Sequence, residues 1–438
     1  MPKKWFLSPF EFLMLVIAGV LLSVSVAGAG KVAPEVVYAP TAKPDRIILT
    51  WSADPATTQS VTWRTDQSVR TGLAEIVPAG DGPDFAKGAQ RVEAESDNFE
   101  SSLGKARYHS VTFTGLKPGA LYAYRVGDGD NWSEWNHFET LRAEAAPLSF
   151  LYLGDAQNNI LEHWSRVIRT AWRHAPEAQF VVYGGDLVNR GDHDDEWGEW
   201  FEAAGWVHRV IPALPSPGNH EHVSPPTGER YLASNWQMLF TLPDHGPSGD
   251  KEVCSYIDLQ GVRLISLNSM SGHELQAGWL EKALAKNPNR WTILVFHHPL
   301  YSSGKGRDNK ELRALLQPLI DRHGVDLVLQ GHDHTYARTG LVSGSGRHGA
   351  KHGTVYLNSV SGPKMYKLDR KPEMVRIAEQ TQLFQVVRID GGRLTMEART
   401  VTGELYDAFE LRQRPGQPNE LIDKMPATPE RVFSIPAN

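Results

Sequence analysis

Five short polar segments of this sequence combine residue types that bind metal ions with the glycines and prolines of turns. In chain order they are Gly154-Asp155-Ala156-Gln157, Gly185-Asp186-Leu187-Val188-Asn189-Arg190-Gly191, Gly218-Asn219-His220-Glu221, His297-His298-Pro299 and Gly331-His332-Asp333-His334. Carboxylate, amide oxygen and neutral imidazole are ligands that suit Mn, Fe and Zn. A pair of such ions about 3.5–4 Å apart also needs one carboxylate that can bridge both. Together the five segments indicate a two-metal site.

The segments follow apolar runs or turns, so the fold can bring them to one end of a sheet. The apolar runs at 148–153, 180–183, 264–267 and 292–296 are continuous, which is typical of strands buried on both faces. Stretches with helical spacing lie between them, for example at 163–174. This alternation predicts an α/β domain with helices on both faces, in which ligands bind outside the carboxyl ends of the strands.

A different pattern precedes this domain. Between residues 34 and 142, short runs alternate apolar with polar residues and are separated by Gly and Pro, which predicts an all-β sandwich. The segment from Thr114 to Val126 resembles a fibronectin type III domain, so an immunoglobulin/fibronectin-like sandwich is expected. The predicted organisation is a signal peptide or anchor at 1–29, the sandwich at 34–142, the catalytic domain at 147–411 and an extended Pro-rich tail at 412–438.

Composition and the N-terminal segment restrict the partners and the compartment. The 438 residues include 45 Lys and Arg and 51 Asp and Glu, a net charge of -6, so no basic excess attracts nucleic acid. Cys254 is the single cysteine, which excludes an intramolecular disulfide and a cysteine-rich metal site. Lys3 and Lys4 precede an apolar run and the small residues at 27–29, as in a secretory signal peptide. We expect a periplasmic or secreted protein, with a membrane partner only if this segment is an uncleaved anchor.

With these motifs in this order, the sequence resembles the calcineurin-like metallophosphoesterase superfamily. With the β-sandwich in front, it is similar to the purple acid phosphatase-like group. The resemblance implies an αββα catalytic domain and an exported enzyme that hydrolyses small phosphomonoesters with two divalent or mixed-valence Fe, Mn or Zn ions. It also implies ligand roles: Asp155 and His334 on the first metal, Asp186 as the bridge, and Asn219, His297 and His332 on the second. His297 is preferred to His298 because it stands two positions before Pro299, as in the family's H-x-P segment, and His298 would contact substrate or orient a ligand.

The resemblance also implies a mechanism. A hydroxide activated by the two ions attacks phosphorus directly while the ions neutralise the phosphoryl oxygens. His220, next to Asn219, would be the general acid that protonates the leaving alkoxide, and the alternative is a structural hydrogen bond. Arg190 matches the phosphate-binding arginine of the Ser/Thr protein phosphatases, and a surface salt bridge is an equal alternative for it.

Two positions depart from the family pattern. Purple acid phosphatases place a Tyr three residues after the bridging Asp, and its phenolate stabilises Fe(III) and gives the colour. Here the residue is Asn189, so we predict a colourless protein whose first metal is divalent. Asn189 could instead hydrogen-bond His220 or substrate. Gln157 stands where many relatives have a metal-binding His, and would be a weak ligand or bind through water.

Two other functions use the same residues. A phosphodiesterase of the same superfamily is the first alternative, because a two-metal site alone does not distinguish phosphomonoesters from phosphodiesters. A non-catalytic surface binding protein with a vestigial α/β domain is the second, and loss of ligands would favour it. The acidic run after the second motif could bind a cation, but a solvated face is the stronger prediction, and the aromatic residues beside it are expected to pack on the core; the residues are Asp192, Asp194, Asp195 and Glu196, then Trp197, Trp200 and Phe201.

Overall fold

The computed structural model describes residues 1, 31–247, 252–344, 353–414 and 417–433. The chain divides into two units, residues 1–39 and 40–438. In the first unit the structure describes one helical turn, α1 (Pro34–Val37). The predicted signal or anchor segment, residues 1–29, lies outside the described residues except for Met1. Among the helices that the structure describes, none has the length and hydropathy to cross a bilayer.

Residues 45–139 form a sandwich of two four-stranded antiparallel sheets. The strands are β1 (Asp45–Thr50), β2 (Gln59–Thr65), β3 (Leu73–Pro78), β4 (Gln90–Glu93), β5 (Glu95–Ser101), β6 (Gly104–Phe113), β7 (Leu121–Gly127) and β8 (Asn136–Glu139). One sheet has the order β1-β2-β6-β5 and the other β4-β3-β7-β8, and a 3-10 turn (Pro83–Gly88) follows β3. Apolar side chains of both sheets, among them Val61, Trp63 and Tyr124, form one buried core.

Residues 148–423 contain two seven-stranded mixed sheets and a short strand pair. The strands are β9 (Leu148–Leu153), β10 (Phe180–Tyr183), β11 (Ala213–Pro215), β12 (His222–Val223), β13 (Tyr231–Leu232), β14 (Ser255–Leu259), β15 (Val262–Ser266), β16 (Trp291–Val295), β17 (Leu327–Gln330), β18 (Tyr336–Thr339), β19 (Val355–Asn358), β20 (Met374–Ala378), β21 (Leu383–Asp390), β22 (Arg393–Thr400), β23 (Leu405–Arg414) and β24 (Gln417–Asp423). The helices are α2 (Ser165–His174, after a π-helical turn at Ile160–Trp164), α3 (Asp194–Ala204), α4 (Val207–Val210), α5 (Ser234–Leu239), α6 (His273–Ala285) and α7 (Lys310–His323). The sheet orders are β11-β10-β9-β21-β22-β23-β24 and β14-β15-β16-β17-β19-β18-β20, and β12 pairs with β13.

The two seven-stranded sheets pack face to face, and helices cover their outer faces. Phe150 of β9 and Ile293 of β16 belong to one buried apolar cluster between the sheets. Leu151, which points to the opposite face of β9, packs in a second cluster with residues of α2 and α3. Residues of α6 and α7 cover the outer face of the second sheet in a third cluster. This arrangement is an αββα sandwich behind a β-sandwich, so the predicted fold class is confirmed.

The acidic run after the second motif is not simply a solvated face, and that prediction is wrong at Asp194. This residue begins α3, is 1% exposed, and accepts hydrogen bonds from Arg46 Nη1 at 2.6 Å and Arg64 Nη1 at 3.1 Å. Both arginines lie on strands of the β-sandwich, so Asp194 joins the sandwich to the α/β domain. Sequence spacing carries no sign of partners so distant along the chain. Trp197 and Trp200 are fully buried in the core, as predicted.

The segment predicted to be an extended tail, residues 412–438, contains paired strands in the part that the structure describes. β23 continues to Arg414, past the predicted domain end at residue 411, and β24 pairs with it antiparallel as the sheet edge. Pro418 is accommodated because an edge strand leaves one side of its backbone unpaired. The first seven-stranded sheet therefore reaches further toward the C-terminus than the Pro-rich composition indicates.

Candidate metal centre

The five polar segments lie at the carboxyl ends of strands in both large sheets. Asp155, Asp186 and Asn219 follow β9, β10 and β11, which are parallel neighbours in the first sheet. His297 and His332 follow β16 and β17, which are parallel neighbours in the second sheet. Because the sheets pack face to face, these strand ends meet and the polar side chains converge.

Four of the six predicted ligands have a left-handed backbone. The φ angle is 49° at Asp155, 52° at Asp186, 75° at His332 and 49° at His334. Such conformations cost a non-glycine residue about 1–3 kcal/mol and persist only where surrounding contacts hold them. Here the backbone N–H of His332 donates to both carboxylate oxygens of Asp155, at 2.9 and 2.8 Å. The loops that carry the ligands are thus fixed partly by the ligands themselves.

Two glycines allow the ligand loops to approach each other. A Cβ atom at Gly218 would lie 2.2 Å from Asp186 Oδ1, and one at Gly331 would lie 2.3 Å from Asp155 Oδ2. Any larger residue at either position would displace a carboxylate. The glycines immediately before Asn219 and His332 are therefore required by close packing.

One group of candidate ligand atoms surrounds Nε2 of His297. His332 Nδ1 lies at 3.0 Å, Asn219 Oδ1 at 3.1 Å and Asp186 Oδ2 at 3.2 Å. Nδ1 of His297 lies 3.0 Å from the carbonyl oxygen of Gly184 and donates to it, which leaves Nε2 to face the other three atoms. These four side chains are the set predicted for the second metal together with the bridging carboxylate.

A second group surrounds Nε2 of His334. Nδ1 of this ring donates to the carbonyl oxygen of Lys364 at 3.1 Å, so Nε2 faces inward. Gln157 Nε2 lies 2.9 Å from His334 Nε2 and 2.9 Å from Asp186 Oδ2. Asp155 Oδ1 lies 3.6 Å from His334 Nε2. Asp186 Oδ2 is therefore common to both groups.

Gln157 occupies the space between two predicted ligands of the first metal. It is fully buried, and its Oε1 atom has no hydrogen-bond partner among the described residues. Rotating the amide would exchange its nitrogen and oxygen and turn Oε1 toward Asp186 and His334. An oxygen facing a carboxylate and an imidazole lone pair is favourable only with a cation between them. The unpaired Oε1 atom is therefore consistent with Gln157 as a weak metal ligand.

Burial and neighbouring charges set the protonation of the site. Burial raises the pKa of Asp155 well above its ordinary value, and the charge of Asp186 adds to this effect. Burial also opposes ionisation of Asp186, but the charge of His297 and its hydrogen bond lower the pKa of that carboxyl. Burial lowers the pKa of His334 to about 3 and drives the pKa of His332 well below its ordinary value. Neutral imidazole is the form that binds metals.

The arrangement fits metal ions better than hydrogen bonds alone. Against the effect of burial, Asp186 raises the pKa of His297 to about 9, which favours a proton on Nε2. A proton on His297 Nε2 can form a full hydrogen bond to only one of the three surrounding atoms, whereas all of them can coordinate one cation. Ligand atoms of Asp155, Asp186 and His297 lie within 4.8 Å of one another, and so do those of His297, His298 and His332. The donor set suits Mn, Fe or Zn.

His220 lies beside both groups. Its Nε2 atom is 4.0 Å from Asp186 Oδ2, and its side chain is 26% exposed. Nδ1 lies 2.5 Å from the backbone carbonyl oxygen of Asn189 and donates to it. The side chain of Asn189, which sequence reasoning offered as the partner, instead accepts a hydrogen bond from Asn158 Nδ2 at 3.2 Å. A neutral backbone carbonyl therefore orients the imidazole.

The other two predicted substrate-binding residues already have protein partners. Arg190 Nε donates to Glu196 Oε1 at 2.7 Å and the side chain is 50% exposed, so this structure shows the salt-bridge alternative. His298 Nδ1 pairs with Ser269 Oγ at 2.9 Å, and the His298 ring lies 4.2 Å from that of His332. His298 is therefore near the candidate ligands, whereas Arg190 contacts none of them among the described residues.

Glu221 is a functional candidate that the sequence reasoning missed. Its buried carboxylate accepts four backbone hydrogen bonds, from residues 186, 187 and 188 of one ligand loop and from Gly218 of the next. It thereby fixes the loops that carry Asp186 and Asn219. A carboxylate directly after two candidate site residues was the available signal.

Arg307, Lys364 and Tyr366 were also missed. Arg307 Nη1 donates to the carbonyl oxygen of His332 at 3.2 Å, and the Tyr366 ring lies 4.7 Å from the His334 ring. Arg307 Cζ and Lys364 Nζ lie 4.6 and 5.5 Å from the centre of the Tyr366 ring. These residues belong to loops outside the motifs, so no sequence pattern could place them here.

Comparison with known families gives one match for each part of the fold. Residues 148–336 match the calcineurin-like phosphoesterase family, and residues 44–140 match the N-terminal domain of purple acid phosphatases. Over 335 residues the chain is 30% identical to acid phosphatase type 7 of Homo sapiens, a match that covers 68% of this chain and 72% of that protein. It is 27% identical over 290 residues to purple acid phosphatase 21 of Arabidopsis thaliana, covering 64% of this chain and 63% of that protein.

Solved structures share the fold at lower identity. A purple acid phosphatase from yellow lupin (Lupinus luteus) seeds superposes with a TM-score of 0.72 at 19% identity, covering 84% of this chain and 74% of the other. The structure of PhoD gives a TM-score of 0.68 at 11% identity, covering 90% and 94%. The family match at residues 44–140 is to a phosphatase domain, so the fibronectin type III resemblance stays a prediction.

Proposed function

We propose, because this chain belongs to the purple acid phosphatase family of calcineurin-like phosphoesterases, that it is a phosphatase that hydrolyses phosphomonoesters with two metal ions. The position of Asp186 Oδ2 carries this proposal. That oxygen lies 3.2 Å from His297 Nε2 in one group and 2.9 Å from Gln157 Nε2 in the other. A carboxylate shared by two groups of ligands is what a bridged pair of ions requires.

The proposed ligands divide into two sets that share Asp186. The first ion would be held by Asp155, Asp186 and His334, with Gln157 as a weak ligand or bound through water; the second would be held by Asp186, Asn219, His297 and His332. When bound, the ions supply positive charge for the phosphoryl oxygens and acidify water enough to provide a nucleophile near neutral pH. Fe, Mn and Zn are the candidates by donor chemistry.

His220 would supply the proton that the leaving group needs. The hydrogen bond from Nδ1 to the Asn189 carbonyl fixes the ring, which leaves Nε2 free to carry a transferable proton. As the ester bond breaks, Nε2–H donates that proton to the leaving alkoxide.

Three residues remain proposed substrate contacts, and the structure supports them unequally: His298, Asn189 and Arg190. The Nδ1 atom of His298 is taken by Ser269, but its ring lies against His332 and leaves Nε2 available to a phosphate oxygen. Arg190 would have to exchange Glu196 for phosphate. Of these three, His298 has the strongest support.

We also propose that the protein is exported to the periplasm or secreted. The support is the sequence of residues 1–29, with two lysines, an apolar run and small residues before Gly30. N-terminal sequencing of the protein recovered outside the cytoplasm should give a first residue near Gly30. A recovered chain that begins at Met1 would contradict cleavage and favour the anchor.

Asp186→Asn tests the two-metal proposal. The wild type, loaded with Mn, Zn or Fe, should contain two metal ions per chain by elemental analysis and turn over 4-nitrophenyl phosphate faster than bis(4-nitrophenyl) phosphate. The variant should lose at least one ion and about 10³-fold in kcat, because a metal ion contributes several kcal/mol to the transition state. Asp192→Asn, at an exposed acid in the neighbouring loop, should keep both ions and the rate.

Two results would reject this function. One is a metal-loaded wild type that turns over neither ester, and the other is an Asp186→Asn enzyme with an unchanged rate. A clear preference for the diester would replace phosphatase with phosphodiesterase. Retention of two tightly bound ions without any turnover would favour the non-catalytic alternative.

A further inference from the structure

Two loops beside the metal centre form one positively charged surface. Residues 305–310 and 364–371 together contain seven basic and two acidic residues, in a chain whose net charge is -6. The Lys305 N–H donates to the Lys367 carbonyl at 2.8 Å, and the Asp369 N–H donates to the Ser303 carbonyl at 2.8 Å. Because these backbone bonds hold the loops side by side, their charges add.

This surface is joined to the loop that carries His332 and His334. Arg307 Nη1 donates to the His332 carbonyl at 3.2 Å, and His334 Nδ1 donates to the Lys364 carbonyl at 3.1 Å. Tyr366 packs against His334 and has both cationic groups near its ring, at 4.6 Å for Arg307 and 5.5 Å for Lys364. Two cationic side chains therefore lie next to predicted ligands of both metals.

These two cations lack a strong counter-charge. Lys364 forms no ion pair among the described residues, and its Nζ atom is near an aromatic ring only. The nearest carboxylate oxygen to Arg307 is that of Asp333, at 3.5 Å, and this buried carboxylate already accepts backbone hydrogen bonds through its other oxygen. By contrast, Lys371 in the same loop pairs with Asp369 at 2.6 Å. What distinguishes Arg307 and Lys364 from the other cations of this surface is their position next to the loop of His332 and His334.

We propose that Arg307 and Lys364, here called the basic wall, bind a second anionic group of the substrate. The preferred substrates would be phosphate esters whose leaving group carries a further phosphate or carboxylate. This inference rests on the proposed function, since the scissile phosphate must lie at the metal centre. Like charges close to two dications repel them, and an anion between the wall and the centre offsets that repulsion. A simple monoester would leave the wall without a partner.

Matched substrates test the proposal. Phosphate release is measured from 4-hydroxybutyl phosphate and from butane-1,4-diyl bisphosphate, whose leaving alkoxides are similar. For the wild type, kcat/KM should be about five- to tenfold higher for the bisphosphate, mainly through a lower KM, because two partly exposed ionic contacts contribute about that much. The preference should shrink between about 20 mM and about 500 mM KCl, as screening shortens the Debye length.

Variants assign this preference to the basic wall. Lys364→Gln and Arg307→Gln should each reduce the ratio of the two kcat/KM values by about threefold. Lys87→Gln is the matched control, because its exposed ammonium lies on the β-sandwich, outside both loops, and pairs with Asp84 at 2.7 Å. Its ratio should equal that of the wild type. Lys364→Gln is the stronger test, since Arg307 also contacts the backbone of His332 and its loss could disturb the ligand loop.

Binding provides a readout that does not need turnover. Calorimetry should show that the metal-loaded wild type binds butane-1,4-diyl bisphosphonate more tightly than butylphosphonate, and that Lys364→Gln loses most of the difference. Equal kcat/KM values for the two esters in an active enzyme would overturn the proposal, as would an unchanged ratio in a folded Lys364→Gln enzyme. If the wild type hydrolyses neither ester, the proposed function fails, and the phosphonates still decide whether the wall binds anions.

Discussion

At the scale of residues, Asn189 separates this chain from the coloured members of its family. Its Oδ1 atom accepts from Asn158, its backbone N–H donates to Glu196 at 2.6 Å, and its carbonyl orients His220. Asn189 contacts the His220 ring through its backbone carbonyl and not through its side chain. The side chain of Asn189 can therefore differ from the family's tyrosine without changing the backbone contact that orients His220.

The first prediction concerns colour. Because an amide side chain cannot supply a phenolate, the iron-loaded wild type should show no charge-transfer band in the visible spectrum. Asn189→Tyr should introduce such a band when the protein is loaded with iron, measured by absorbance against the zinc-loaded form. A visible band in the wild type would show that another group supplies the charge transfer and that the first metal is not restricted to the divalent state.

The second prediction concerns proton transfer by His220. His220→Ala should lower kcat for an alkyl phosphate by about 10²–10⁴-fold and for 4-nitrophenyl phosphate much less, because a good leaving group needs little protonation. Steady-state rates on both substrates measure this. Asn189→Ala is the matched control: it keeps the carbonyl that holds the ring, so it should retain the leaving-group dependence of the wild type. Equal losses on both substrates in His220→Ala would point to a structural role.

The candidate ligands could be predicted from the sequence, but their supports could not. Several candidate ligands follow an apolar strand closely in the sequence, namely Asp155, Asp186 and His332. In an α/β fold the carboxyl ends of neighbouring parallel strands lie side by side, so this local pattern predicts that the ligands are close together. The His220 ring and the Glu221 carboxylate pair with backbone groups of the loop at 186–189, and Glu221 also accepts the N–H of Gly218 in its own loop. Because every residue type has the same backbone groups, the sequence does not indicate which of them a side chain contacts. Only the structure could identify these partners.

At the scale of elements, helix α3 links the β-sandwich to the loop around His220. Arg46 and Arg64 hold Asp194 at the start of the helix. In its first turn, Glu196 accepts the backbone N–H groups of Asn189 and Arg190, at 2.6 and 2.9 Å. The sandwich therefore fixes the helix start, and the helix start fixes the carbonyl that orients His220.

The third prediction tests this link. Asp194→Asn should reduce the free energy of unfolding by about 3–5 kcal/mol, because it leaves the buried guanidinium of Arg46 without its charged partner. Urea denaturation followed by tryptophan fluorescence measures the loss. Asp84→Asn removes an exposed carboxylate that pairs with Lys87 on the sandwich surface, and should leave stability unchanged. Similar curves for the two variants would mean that the buried pair does not stabilise the junction.

Sequence patterns predicted which elements exist more successfully than how they pair. The continuous apolar run that forms β9 and the period-two runs of the sandwich follow from local burial. β24 and the ion pairs of Asp194 depend on partners elsewhere in the chain, and the proline in β24 argues against a strand unless the strand is at an edge. Composition alone could not supply that context.

At the scale of the whole molecule, a buried neutral histidine connects stability with pH. His208 stacks on Trp200 with ring centres 4.2 Å apart, and its Nε2 pairs with the hydroxyl of Tyr183 at 2.7 Å. Burial lowers the pKa of His208 to about 3, and the charge of Arg209 acts in the same direction. The next residue also accepts a hydrogen bond from the sandwich, through Tyr124.

The fourth prediction follows from that shift. In the unfolded state His208 binds a proton near pH 6.5, whereas in the folded state it stays neutral until about pH 3. The contribution of His208 to the free energy of unfolding is therefore complete above pH 6.5 and is lost as pH falls toward 3. The total loss is roughly 4–5 kcal/mol. Denaturation of the wild type and His208→Phe at pH 7, 5.5 and 4 measures the difference in slope. The variant should lose less stability on acidification.

A control separates titration from packing in this experiment. Phe201→Leu removes part of the same aromatic cluster without removing a titratable group. It should lower stability by a similar amount at each pH and keep the wild-type slope. If His208→Phe also keeps that slope, protonation of His208 is not what weakens the protein in acid.

The order of strands in the first large sheet has a consequence for biosynthesis. β9, which leads to Asp155, lies between β10 and β21, and β21 begins only at Leu383. A nascent chain that has just passed His334 contains every candidate ligand but lacks β21, the strand that pairs with β9 on the side away from β10. We therefore expect the centre to assemble only after β21 has been synthesised and has paired with β9, with ions acquired in the native arrangement afterwards. Premature termination before β21 would yield a polypeptide with all the ligands and no centre.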